Sequence, residues 1–338
     1  MTLPATDLDT HVAPPSGEGE PESAKIVGRS PMQLAIRRFR KDKLSMAAFF
    51  VVVFYFLAAL AAPFLVKFGV LDPYTFHNTG PGSLLDEFTL PKGSWGGISG
   101  DHLLGVEPGT GRDVLSRVWY GITFSLVMAI AATIISVGLG AIFGIIAGVS
   151  GGFTDSAIGR LIDLILSFPS TLMLLALSSL FIDILVKDLH VPEGDMANGL
   201  YVVLILGFFG WPYVARLVRG QVLSIREREF VEAAKLMGAS RARLYFKEIL
   251  PNLWAPLLVS FTITMPTYIS AEAALNYLGV GIKPPTPTLG NVLSGSIDYS
   301  TSDFIFFFTP AFLIMIIVVS FNLLGDGLRD ALDPKGHR

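Results

Sequence analysis

The 338-residue chain contains no cysteine, which excludes disulfides and thiolate metal sites. Charge is scarce as well. Only 16% of the residues are Asp, Glu, Lys or Arg, against about 25% in a soluble globular domain. The five histidines, His11, His77, His102, His190 and His337, lie far apart in sequence, and no two stand at metal-ligand spacing. With a net charge of −3 there is no basic excess of the kind nucleic acid attracts. Motifs for nucleotide chemistry and hydrolysis are missing too. The chain has no GxxxxGK[ST] and no Gly-Lys pair anywhere, so it lacks a P-loop. HExxH, GxSxG and GxGxxG do not occur in a usable context.

Apolar residues make up 51% of the chain and its mean hydropathy is +0.58. They fall in long blocks that contain no charge at all. Lys43 to Lys67 encloses 23 uncharged residues, Arg117 to Asp155 encloses 37, and Asp163 to Asp183 encloses 19. Asp195 to Arg216 encloses 20, Glu248 to Glu272 encloses 23, and Asp303 to Asp326 encloses 22. A helix needs about 20 mostly apolar residues to cross a bilayer core about 30 Å thick. Six spans are therefore expected, near 44–66, 121–149, 161–186, 199–218, 251–280 and 303–324. Six spans place both termini on one side, and 19 of the 25 lysines and arginines share that side. The positive-inside rule makes it the cytoplasm.

Residues 1–30, rich in Pro, Gly, Glu and Ser, are expected to form a disordered cytoplasmic tail. The segment 31–66 holds the first span, read as a retained anchor because no signal-peptide cleavage site follows it. An external loop covers 67–120, a transmembrane core 121–325, and a cytoplasmic C-terminus 326–338. The stretch Leu293-Ser294-Gly295-Ser296 faintly resembles an ATPase signature, but it lies in an expected external loop and reads as a turn. Asp163 and Asp183, the nearest approach to an acidic dyad, sit towards opposite ends of one span and cannot meet. Arg160 is expected to pair with Asp163 at i, i+3. No enzymatic constellation emerges.

Glu272 is the one carboxylate well inside an apolar block. Such a group lines a translocation path, bonds between helices, or sits near the external interface solvated by the adjacent loop. Gly140, Gly144 and Gly148, four residues apart, place small residues on one helical face for close packing within the subunit or against a partner. Pro169, Pro212 and Pro266 permit kinks in spans three to five. The large cytoplasmic loop, 219–250, is the richest segment. Arg226 to Met237 reads as a short amphipathic helix with Phe230, Ala233, Ala234 and Met237 on one face. Gly238 would supply its left-handed cap, Ser240 would start a second helix, and Pro251 would open span five. This helix either inserts into another protein's cleft or lies on lipid headgroups.

Glu232-Ala233-Ala234, then Gly238, then Leu250-Pro251 with the proline thirteen residues after the glycine, resembles the EAA loop of permeases in binding-protein-dependent ABC importers. The general pattern has isoleucine ten residues after the glycine. This chain has Glu248 there and Ile249 next, a displaced form that looks like the peptide-transport branch. Gly111 to Arg117, Gly210-Trp211-Pro212, Leu278 to Gly281, Pro284 to Pro287 and Phe321 to Pro334 agree, so the resemblance covers roughly 30–335. One departure lies ahead of span two, where the usual HxLGTDxxGRD is replaced by His102 to Asp113 with one extra residue and without the usual aspartate.

The resemblance points to the C-type permease of dipeptide and oligopeptide importers, a group that includes nickel and other solute systems. It implies an all-α, six-helix integral membrane protein of the type I importer kind, multi-pass in the plasma (inner) membrane of a prokaryote. It further implies a homologous second permease, two P-loop ATPases that hold the ATP and magnesium, and an external solute-binding protein. No cofactor is expected in this chain. Coupling to the ATPases would run through Glu232, Ala233, Ala234, Gly238, Leu250 and Pro251. The alternative from another class, an ion-coupled transporter working alone, would need midplane ionisable residues and internal repeats. Glu272 is the only such residue, and the two halves show no repeat.

Overall fold

A computed structural model describes residues 31–80 and 82–332, so the expected tail 1–30 and the last part of the C-terminus, 333–338, lie outside the described residues. The described chain is helical, with two isolated bridges and no strand. A short helix α1 (Pro31–Lys41) leads through Asp42 into α2 (Lys43–Lys67). After a long loop come α3 (Val114–Ser150), α4 (Gly152–Ser167), α5 (Ser170–Ala176), α6 (Ser178–Lys187) and α7 (Asp195–Ile225). Then follow α8 (Glu229–Leu236), the single turn α9 (Arg241–Arg243), α10 (Trp254–Tyr277), α11 (Leu289–Ser296) and α12 (Phe304–Leu332).

Four helices, α2, α3, α7 and α12, are each long and apolar enough to cross a membrane, and the count reaches six if each of two bent pairs is one span. Their outer faces carry what lipid accepts. Phe50, Leu57, Leu60 and Phe64 stand exposed on α2, and Phe304, Phe308 and Phe312 stack along α12. The third and fifth expected spans are the bent ones. Instead of one helix over 161–186, the chain turns by 74° between α4 and α5. Pro169 has no N–H to continue α4, and it forces Phe168 into extended backbone with ψ 134°. The fifth span bends by 62° between Arg241–Asn252 and α10. Pro251 therefore sits in a 3-10 turn, Leu250–Asn252, rather than opening the span.

Two smaller expectations are corrected. Leu293 to Ser296 is not a turn but the second half of α11, which starts from a Thr288–Asn291 capping box. Asp163 pairs not with Arg160 but with Arg216 of α7, because its neighbour Ile162 is buried with Trp211 and Ala215 of α7 and brings the exposed Asp163 within reach. Asp155, two turns earlier, pairs in the same way with Arg219 (2.5 Å).

Candidate functional site: the coupling segment and its anchors

The loop after α7 is ordered by its own sequence. Ala239 N donates to Ala234 O (3.0 Å) and Gly238 N to Lys235 O (2.9 Å), the paired bonds of a Schellman motif. Gly238 occupies the left-handed position with φ +77°, as its place after the helix demanded. Ser240 then accepts from Arg243 N (3.3 Å) and starts α9. The next turn, Leu244–Ile249, is a π-helix. Its wider i→i+5 repeat sets Ile249 below Leu244, so both are buried, while Glu248 stays half-buried 3.7 Å from Arg243 Nε. The one-residue displacement of the isoleucine thus has a local structural counterpart.

The faces of α8 differ from the sequence expectation. Val231 and Ala234 are the buried pair, packed with Val218, Val222, Leu244, Ile249 and Leu253 in a small core. Phe230, Ala233 and Met237 face outward, together with Glu232 and a Leu236 that is 90% exposed. Ala234 thus parts from the face that the helical spacing gives it with Phe230, Ala233 and Met237, and Leu236 joins the outer side. Eight residues with apolar side chains on both faces do not fix a phase, and burial against α7 decides it. Leu250 is half-buried and Pro251 exposed. Arg226 Nη1 donates to Gly148 O (3.0 Å), tying the start of this segment to the end of α3. The result is a short helix whose outer side mixes apolar and charged residues and whose inner side packs into the small core at the ends of α3 and α7 and the turn before α10.

The glycine row packs α3 tightly on α7, the helix that leads into this segment. A Cβ on Gly140 would lie 2.5 Å from Val214 Cβ, one on Gly144 2.7 Å from Val218 Cβ, and one on Gly148 2.6 Å from Val222 Cγ1. Three glycines of α3 therefore receive three valines of α7 at the same four-residue interval. The row is used for packing inside this subunit.

Glu272 is buried on α10, at 1% exposure, so it is not solvated by the neighbouring loop and does not line an open path in this conformation. Its carboxyl accepts from Ser125 Oγ of α3 (3.1 Å) and from Asn276 Nδ2. Ser125 Oγ in turn accepts from Leu289 N at the start of α11 (3.0 Å). The group therefore bonds α10, α3 and α11 to one another. Replacing Glu272 with alanine leaves the buried Ser125 hydroxyl without that acceptor and Asn276 Nδ2 with the residue-272 carbonyl (3.1 Å) and Thr288 Oγ1 (3.5 Å), and the expected loss is about 1–3 kcal/mol. A lower melting temperature in detergent checks this, with the range of transported solutes unchanged.

A second cluster, missed by sequence reasoning, lies at the opposite end of the bundle. Glu107, Arg112 and Arg117 are all buried. The Glu107 carboxylate accepts from Arg112 Nε (2.7 Å) and Thr110 Oγ1 (2.7 Å), and it stands 3.4 Å from Arg117 Nε. Arg117 also donates to Pro73 O (3.4 Å) and Pro285 O (3.2 Å), joining the loop after α2 to the loop before α11. Asp113 caps α3 by accepting from Ser116 N (2.7 Å) and meets His102 Nδ1 at 3.0 Å. The place where the usual aspartate is missing thus holds a working carboxylate. The same fold brings the His77 and His102 rings to 5.8 Å, although their spacing suggested no meeting. Among the described residues no group of three His, Cys, Asp or Glu could hold a metal ion.

Comparison with known proteins is decisive here. The family described as binding-protein-dependent transport system inner membrane component matches residues 140–336, and the N-terminal TM domain of oligopeptide transport permease C matches 30–82. The chain belongs to this permease family. It is 36% identical to the dipeptide transport system permease protein DppC of Bacillus subtilis (strain 168), over 94% of this chain and 90% of that protein. It is 35% identical to the oligopeptide transport system permease protein OppC of the same organism, over 95% and 94%. For OppC of Mycobacterium tuberculosis (strain ATCC 25618 / H37Rv) the identity is 33%, over 89% and 94%. In fold, the permease is similar to a chain of the inward-facing MetNI methionine ABC transporter in its CY5 native crystal form. The TM-score is 0.51 at 20% identity, covering 65% of this chain and 97% of that one. The chain is thus a multi-pass membrane permease subunit of an ABC importer with the type I fold.

Proposed function

We propose that this permease forms half of the path for di- and oligopeptides, delivered by an external solute-binding protein and driven by two ATPase subunits on the cytoplasmic side. A homologous second permease supplies the other half. Names of relatives at 33–36% identity over most of the chain support the peptide reading. ATP and magnesium are held by the partner ATPases, in keeping with the missing P-loop, and this chain carries no cofactor. Both termini and α8 face the cytoplasm on the distribution of lysine and arginine.

The observation that carries the mechanism is the form of α8, an exposed, partly apolar outer side fixed to a buried inner one. When the ATPases close on ATP they move whatever holds Phe230, Ala233 and Leu236. Val231 and Ala234 pass that displacement to α7, and Leu250 and Pro251 pass it to the bend that opens α10. Glu232 joins the outer side at the point of contact. The path then alternates between outward and inward access.

Gly238 tests this directly, because no atom lies within 4 Å of its missing Cβ and a substitution acts through backbone strain alone. Valine at φ +77° costs about 1–3 kcal/mol, enough to unwind the Schellman cap. Gly238→Val is expected to assemble with its partners but hydrolyse ATP without uptake. Gly238→Asn, which tolerates the left-handed region, is expected to retain coupling. Normal uptake by a well-assembled Gly238→Val complex refutes the role.

A further inference from the structure

The first helix has a feature that the import cycle does not use. In α1, Ala35 and Phe39 turn inward, with the Phe39 ring edge-on to Phe49 (6.3 Å between centroids) and 3.4 Å from where a Cβ on Gly327 would stand. Phe39 is thereby fixed beside the end of α12, while α1 passes into α2 through Asp42 alone. The helix therefore lies beside the start of α2 and the end of α12, two candidate spans. On its other sides Met32, Leu34 and Ile36 are exposed. Arg37, Arg40 and Lys41 are exposed one turn further on. These three cations make no ion pair within 4 Å among the described residues, in contrast to Arg216, Arg219 and Arg226. A shallow, open cleft of about 390 Å³ runs along this side of α1, lined by Gln33, Ile36, Arg37, Arg40 and Lys41.

We propose that this cleft binds the headgroup of an acidic phospholipid, with its phosphate among Arg37, Arg40 and Lys41 and its acyl chains along Ile36 and Met32. A guanidinium fork matches phosphate oxygens in geometry and charge. Apolar side chains beside the cations suit an amphiphile better than a free anion. A basic helix at a membrane boundary is where anionic lipids concentrate. Phosphatidylglycerol has the required chemistry: one phosphodiester charge, a small polar head and two acyl chains. Bound there, it would hold α1 against the membrane and fix the entry angle of α2.

The test uses the complete importer complex, extracted in mild detergent and analysed by native mass spectrometry with added phosphatidylglycerol or phosphatidylcholine. Phosphatidylglycerol is expected to be retained preferentially. Its retention should fall by about tenfold or more in the triple variant Arg37→Gln, Arg40→Gln, Lys41→Gln, since each basic residue near an acidic surface adds to the attraction. The substituted positions are exposed, and gel filtration of the same sample confirms assembly. The variant Ile36→Ser, with charges intact, should also lose retention, though less. Equal retention of both lipids, or equal retention by the triple variant, overturns the proposal. Complete displacement of the lipid by inorganic phosphate overturns it in favour of a plain anion site. If retention disappears when the ATPase subunits are removed, the site belongs to a protein interface and the assignment also fails.

Discussion

Replacing Glu107 with alanine is expected to destabilise the loop between α2 and α3 by about 3–5 kcal/mol, the cost of leaving buried charges without their partner. Arg112 and Arg117 are 4% and 1% exposed, and Glu107 is the one carboxylate paired with both. Their withdrawal from water is sustained by that acceptor and by carbonyls of Pro73 and Pro285. Without it the loop must open to hydrate two guanidinium groups. Because α3 starts at Val114, opening also threatens the Asp113 cap. Trypsin reads the outcome, since it cuts after arginine and both sites are shielded in the wild type. Rapid cleavage at Arg112 or Arg117 in Glu107→Ala, with slower cleavage in Glu107→Asp, is the expected pattern. Protection of Glu107→Ala equal to wild type contradicts the role assigned to this cluster.

The second large effect is expected from Gly144→Leu. Overpacking a filled interface costs about 1–3 kcal/mol for modest insertions and more when backbone must move. At Gly144 the new Cβ alone would stand 2.8 Å from Ala215 O, which belongs to the α7 backbone and cannot rotate away. A leucine then forces α3 from α7 along the whole glycine row and disturbs the core beneath α8. Loss of folded protein, or a melting temperature too low to allow assembly, should follow. Gly138 provides the control on the same helix. It is exposed, with nothing within 4 Å of its missing Cβ, so Gly138→Ala should be neutral or stabilising by about 0.5–1 kcal/mol.

How much of this was readable in the sequence depended on the kind of signal. The cost of charge in lipid made α2, α3, α7 and α12 visible as charge-free blocks, because that cost acts on every residue of a span. Counting charges does not measure an axis bend; Pro169 marked where the 161–186 block could kink, and only the fold gives the 74° turn there. The Gly140, Gly144, Gly148 interval announced close packing, and only the fold could say that Val214, Val218 and Val222 receive it. Gly238 was legible because its left-handed backbone depends on local sequence alone. The Glu107 cluster was not, since its partners meet across irregular loop with no period to detect. Glu107, one methylene longer, stands in the place of the usual aspartate. In α8 the helix and its glycine stop follow from local sequence while the phase does not, because tertiary packing selects Val231 and Ala234 for the inner face.

The central claim is that this permease works as a half-path coupled to separate ATPases through α8. It is tested most directly by purifying the tagged chain in mild detergent, identifying its partners by mass spectrometry, and assaying ATP hydrolysis with and without the solute-binding protein. The expected result is recovery of a second permease and P-loop ATPases, with hydrolysis stimulated by peptide-loaded binding protein. Gly238→Val should abolish that stimulation while the complex stays intact. Recovery of the chain by itself, with solute uptake preserved after reconstitution without ATP, would contradict the account.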